Sequence, residues 1–104
     1  MFANTPNPPY YAVIFSSIQS NDTNGYNEVA QRLVELANKQ PGFLGIESVR
    51  EKLGITVSYW ADLASIKEWK ENAEHVFAQE KGKQQWYRSY KIRISLVEKD
   101  YEFG

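Results

Sequence analysis

No cysteine occurs in this chain, and histidine and methionine occur once each. Without thiols there is neither a disulfide framework nor a thiolate metal site, and one histidine cannot build a multi-histidine cluster. A metal held by the protein alone is therefore not expected, although an exogenous haem iron needs only one axial ligand. Long apolar runs are missing too. No segment reaches the roughly 18 to 20 continuous apolar residues of a membrane span. The opening MFANTPNPPYY has neither the basic region nor the apolar stretch of a secretory signal. The expectation is a soluble, cytoplasmic protein with no membrane partner. Nor is one sign of charge in surplus: 12 Lys and Arg stand against 13 Asp and Glu. The basic residues form no run able to neutralise several phosphates, which argues against nucleic acid as a partner.

What is present fits one domain. A chain of 104 residues that is 42 % hydrophobic and 14 % aromatic can build one core and is too small for two. Residues 1–9 carry prolines and asparagines without periodicity and read as an irregular arm. YYAVIFSSI (10–18) is aromatic and β-branched and reads as a strand. SNDTNG is rich in turn formers and helix caps. It leads into YNEVAQRLVELANKQ, whose Tyr26, Val29, Ala30, Leu33, Leu36 and Ala37 recur at helical spacing until Pro41-Gly42 stops the helix. FLGIESVRE (43–51) and GITVSYWA (54–61) alternate and form a hairpin across Lys52, Leu53 and Gly54. Asp62 caps a second helix that starts with LASIKEWKEN. From Tyr87 the run YRSYKIRISLVEKDY keeps a period of two, with Tyr90, Ile92, Ile94 and Leu96 against Lys91, Arg93, Ser95 and Lys99.

Strand, helix, strand, strand, helix, strand is the ferredoxin-like βαββαβ pattern: an α+β fold with helices on one face of a four-stranded antiparallel sheet. Parity sets Phe43, Val49 and Val97 opposite the set of Leu44 and Ile46. Apolar residues on both faces call for a partner, and a homodimer through the sheet is the expected solution. The charges at Glu47, Arg50, Glu51 and Lys52 read as a solvated strand end, and those at Lys91, Arg93 and Lys99 as an exposed strand face.

The stretch WKENAEHVFAQEKGKQQWYRSY (69–90) gathers the histidine, two of the three tryptophans and a Trp-Tyr pair. Large aromatics seek a core, an interface or a ligand. The order Trp69, His75, Gln79, Gly82, Trp86-Tyr87, Tyr90, together with PGFLGIES and GITVSYW, resembles the antibiotic biosynthesis monooxygenase family of dimeric α+β barrel proteins from about Tyr10 to Tyr101. The resemblance implies a homodimer with its sheets face to face and a ligand cavity between sheet and helices. Some members oxidise aromatic substrates with O2 and no metal or flavin, others degrade haem, and many have no known activity.

A cofactor-independent oxygenase draws electrons for O2 from its own deprotonated substrate, so the protein contributes a base and an apolar pocket. His75 is the side chain that titrates near neutrality and is the candidate catalytic residue. Trp60, Trp69, Trp86, Tyr87 and Tyr90 are candidate walls for a small aromatic or quinol-like ligand, with Asn72 and Gln79 beside them, and no cofactor is implied. A structural reading stands alongside. In an unbroken helix over 63–81, Ile66, Trp69, Ala73, Val76 and Phe77 form the buried stripe and His75 lies about 180° away, in solvent. A break near Asn72 turns His75 inward, where it either acts or merely bonds the chain break. Trp69 reads equally as core, and Trp86-Tyr87 as a plug at the barrel end or the dimer seam. The haem-degrading branch relies on an asparagine in the first strand and on a histidine ten residues after the tryptophan. Here YYAVIFSSI has no asparagine and Gln79 stands at the second position. The rival reading from another class is a non-enzymatic dimer that binds a small hydrophobic molecule or serves a stress role.

Overall fold

The computed structural model describes the backbone of residues 1–104 and every side chain but that of Ala73, whose place in the expected helix stripe lies outside the described residues. The order is β1 (Tyr10–Gln19), α1 (Tyr26–Ala37), β2 (Phe43–Arg50), β3 (Gly54–Trp60), α2 (Leu63–Glu71), α3 (Ala73–Lys81), a π-helical turn (Gly82–Trp86) and β4 (Tyr87–Val97). The sheet runs β2-β3-β1-β4 with every pair antiparallel. This is the ferredoxin-like α+β arrangement.

Boundaries follow from local chemistry. β4 stops at Val97 rather than Tyr101 because its partner begins at Tyr10, just after Pro8-Pro9, whose nitrogens cannot donate to a ladder. α1 ends at Ala37, short of the proline, and two tightened turns carry the chain to Gly42 at φ 82°. At its start, Gly25 in the left-handed region occupies the cap position with no side-chain bond. The polar residues before it serve the turn instead, as Asn24 N–H donates to Asp22 Oδ1 at 3.2 Å. Asp62 caps α2 as expected, accepting from the Ser65 N–H at 2.7 Å, and that bond holds its carboxyl below the usual range.

The hairpin of β2 and β3 contains a feature that simple alternation misses. Its register slips between Phe43 and Gly45, so that Phe43 opposes Trp60 while Gly45 opposes Tyr59. A bulge of this kind puts two residues against one. Phe43 consequently packs edge-on against Trp60, 5.2 Å between centroids, and does not share the face of Val49 as parity suggested. One face carries Phe43, Ile46, Trp60, Tyr11, Val13, Phe15, Tyr90, Ile92, Ile94 and Leu96, and the helices lie on that side, since Trp60 meets Trp69 of α2 and Tyr87 meets Tyr26 of α1. The other carries Tyr10, Ile14, Ile55, Val57, Tyr59, Val49 and Val97. The helices do not cover β4 beyond its start: Ile92, Ile94 and Leu96 remain 48 %, 53 % and 47 % exposed.

Two side chains expected in solvent are engaged. Glu47 accepts from Tyr59 Oη at 2.7 Å and from the Ala3 N–H at 2.9 Å, which ties the N-terminal arm to the sheet and lowers the carboxyl's pKa. Burial, then that same bond, pushes the Tyr59 phenol up to about 12. Arg50 crosses to Ser17 on β1. In both cases the side chain lies along the sheet instead of leaving its end, so the reading as a solvated strand end holds for the exposed Glu51 and Lys52 but not for Glu47 and Arg50.

Candidate functional site

α2 and α3 are separated by a single residue, Asn72, whose ψ of 132° takes it out of the helical region. A break exposes the last carbonyls of one helix and the first N–H groups of the next, and each must find a partner. Side chains from across the break provide them. Asn72 Oδ1 accepts from the N–H groups of Glu74 at 3.0 Å and His75 at 3.4 Å. In return His75 Nδ1 bonds the Trp69 carbonyl at 2.9 Å, and Gln79 Nε2 donates to the Lys70 carbonyl at 3.0 Å. Asn72, His75 and Gln79 thus form a reciprocal cap.

The break also cancels the expected stripe. Past Asn72 the helix turns so that Ala78 is buried while Val76 and Phe77 are exposed, Phe77 by 61 %. His75 swings back over α2, its ring stacked on the Trp69 indole with centroids 4.5 Å apart and planes within 19°. Trp69 in turn lies 6.2 Å from Trp60, which is 1 % exposed and donates from Nε1 to Ser58 Oγ at 2.9 Å. Phe43, Trp60, Trp69 and His75 form a continuous aromatic series from the sheet to the helix break.

The chemistry of His75 follows from its one bond. A carbonyl only accepts, so Nδ1 carries the proton, and in the neutral ring Nε2 holds the free lone pair. Nε2 has no partner among the described residues, and no buried side-chain nitrogen or oxygen among them is left unpaired, so it opens to solvent. Burial pushes the ring's pKa below its ordinary 6.5, with the Trp69 carbonyl working against that shift. The result is a neutral imidazole with an accessible acceptor. Among the described residues no three His, Asp or Glu side chains converge as a metal site would require.

Trp86 and Tyr87 belong to a different group. Trp86 is 3 % exposed, donates from Nε1 to the Asn24 carbonyl at 2.9 Å and meets Tyr26 edge-on at 5.5 Å. Tyr87 donates to Tyr26 Oη at 3.2 Å and packs against Phe15 and Tyr90, each pair of neighbours within 6 Å; burial drives its phenol well above the usual range. Register measures the separation of the two groups, because Trp60 opposes Tyr11 and Tyr87 opposes Gln19. Eight residues of strand are about 26 Å. One small ligand cannot touch both.

Two open hollows occur on the surface. One, of about 360 Å³, lies between α1 and α3 against Val29, Leu33 and Phe77, with the Arg32–Glu74 ion pair across it at 3.3 Å. The other, of about 350 Å³, lies between the arm at Met1 and Phe2 and the sheet at Val49 and Val57. Neither is lined by His75, Trp60, Trp69, Asn72, Gln79, Trp86 or Tyr87. Sequence reasoning read Arg50 as solvated and passed over Ser17; an arginine at the end of an alternating strand, opposite a glycine, was the available sign.

Comparison with known proteins adds to this geometry. The family model described as antibiotic biosynthesis monooxygenase matches residues 9–81. An uncharacterized protein of Bacillus subtilis, YqjZ, is 54 % identical over 101 residues, covering 95 % of this chain and 89 % of its own length. Among solved structures, protein SO0527 from Shewanella oneidensis superposes with a TM-score of 0.75 at 11 % identity, over 88 % of this chain and 93 % of that one. SnoaB of Streptomyces nogalater, a cofactor-independent oxygenase, does so with a TM-score of 0.69 at 11 % identity, over 91 % and 97 %. At such identities the likeness is one of fold. Among the described residues no helix is long and apolar enough to cross a membrane.

Proposed function

This chain belongs to the antibiotic biosynthesis monooxygenase family, and we propose that it is a cofactor-independent monooxygenase acting on a small aromatic or quinol-like compound, with His75 as the proton acceptor. The observation that carries this reading is the 2.9 Å bond from His75 Nδ1 to the Trp69 carbonyl. It fixes the tautomer that leaves Nε2 basic, and burial keeps the ring uncharged at neutral pH. A general base of this kind contributes about 10² to 10⁴ in rate.

The chemistry closes without a metal or flavin. His75 Nε2 takes the acidic proton of a hydroxylated anthrone or related compound, and the resulting carbanion gives its electrons to O2. One oxygen atom ends as a new ring carbonyl, and the other leaves as water with the two protons of the original methylene. Half-buried Trp69 offers a flat wall to such a substrate, with Trp60 buried behind it as support and Asn72 and Gln79 holding the break in place. A homodimer through the sheet face of Val49, Val57 and Val97 accompanies this reading, because that apolar face is open in the single chain.

A second reading has its own observation. Asn72, His75 and Gln79 all spend polar atoms on the helix break, which suits a protein that binds a hydrophobic molecule without turning it over. Oxygen consumption separates the two: an enzyme consumes O2 with an anthrone-type substrate, and a binder shows only quenching of tryptophan fluorescence, unchanged under anaerobic conditions.

A further inference from the structure

At the far end of the sheet from His75, the chain holds a cation in an unusual position. Arg32, Arg88 and Arg93 are exposed, whereas Arg50 is half-buried. Its side chain starts at the end of β2, crosses β3 and reaches β1, where Nη1 donates to the Ser17 carbonyl at 3.4 Å and Nη2 donates to Ser17 Oγ. Ser17 is itself 1 % exposed. The path exists because Gly54 is the register partner of Arg50, and a Cβ at Gly54 would overlap the guanidinium carbon and both terminal nitrogens. The glycine is not there for its backbone angle but for the space above it.

This guanidinium lacks the partner its burial calls for. No carboxylate lies within ion-pairing distance of it among the described residues, and Ser17 supplies two neutral acceptors for five N–H groups. A partly desolvated charge without a counterion is costly, and a planar fork of this kind matches a carboxylate through two parallel bonds. Flat rings lie on the same sheet face near its anchor Ser17. Tyr90 opposes Ser17 in the register, and Phe15 lies two residues before it on the same face. Phe15 meets Tyr87 and Tyr90 at 5.3 Å each.

We propose that Arg50, laid over Gly54 and anchored by Ser17, is a binding site for a planar aromatic carboxylate whose ring packs against Phe15, Tyr87 and Tyr90. The outward edge of the guanidinium takes the carboxylate, and the rings take the aromatic body. This site goes beyond the oxygenase reading and does not rest on it, since a small molecule here is out of reach of His75.

Benzoate and its neutral isostere benzamide test the assignment on the intact protein. In nitrogen-labelled protein, millimolar benzoate shifts the Arg50 Nε–H resonance along a saturating curve and benzamide leaves it in place. Benzoate also raises the melting temperature, and Arg50→Gln weakens its binding at least tenfold while Arg88→Gln leaves it unchanged. Equal responses to benzoate and benzamide, or an Arg50 resonance that stays still in millimolar benzoate, overturn the proposal. The resonance is read on unmutated protein, so the test stands even if Arg50→Gln does not fold.

Discussion

The imidazole of His75 donates from Nδ1 to the carbonyl of Trp69, 2.9 Å away, and stacks on the indole of that same residue. Trp69 therefore fixes both the tautomer and the tilt of the one side chain able to titrate near neutrality. The contact exists only because the helix breaks at Asn72, so the geometry of the base and the stability of the break are coupled.

The first consequence is a pH dependence. The folded pKa of His75 lies below its ordinary 6.5, so the unfolded chain binds the extra proton first as pH falls. The contribution of His75 is full above pH 6.5 and is lost as pH drops from there through the folded value. The lowered carboxylates, Asp22, Glu47 and Asp62, keep their contribution above their ordinary 3.8, 4.5 and 3.8 and lose it only as pH falls from there through their folded values. Chemical denaturation between pH 7 and 5 should show falling stability in the wild type and a flatter curve in His75→Phe.

The cap at the break gives a second. Asn72→Ala removes the acceptor of two α3 N–H groups and should destabilise by about 1 kcal/mol, with Asn72→Asp restoring most of it. Gln79→Ala, at a half-buried position, should cost less than half as much. Denaturant midpoints at constant slope read both.

How far the fold was legible can be judged from these elements. The period of two in Tyr90–Leu96 and the cap at Asp62 each express one local preference and appear where they were expected, whereas α1 ends at Ala37, short of the expected stop at Pro41-Gly42. The bulge after Phe43 was hidden because alternation counts residues and a bulge adds one without changing composition. The π-helical turn at Gly82–Trp86 was hidden for a similar reason, although Gly82 has a spatial cause: a Cβ there would come within 2.9 Å of the Tyr87 ring. The separation of the candidate residues into two groups depends on strand register, which no stretch of neighbouring residues encodes. His75 was legible as a conditional, since a break near Asn72 turns it inward, and the structure meets that condition.

Gly42 supplies a third prediction. Its φ of 82° is unfavourable for any side chain, and a Cβ would come within 2.7 Å of Ser65 Cβ on α2. Gly42→Ala should lower stability by about 2 kcal/mol or more, as left-handed strain adds to the clash. Gly25→Ala, at the same φ with nothing within 4 Å, should lose only the strain, about 1 kcal/mol. Thermal melts of the two variants compare the terms directly.

Assembly gives a fourth. Val49 is 66 % exposed on the sheet face turned away from the helices, on the edge strand of the surface proposed for the second copy. Sedimentation should find a dimer in the wild type and a shift toward monomer in Val49→Glu, with the far-ultraviolet spectrum unchanged.

The account stands most directly on oxygen uptake with a hydroxylated anthrone at pH 7.5, measured for the wild type and for His75→Phe, a variant that keeps a flat ring on Trp69 and removes the base. Uptake by the wild type, reduced about a hundredfold or more in a folded His75→Phe, is the predicted result. Equal uptake by the two proteins would contradict it.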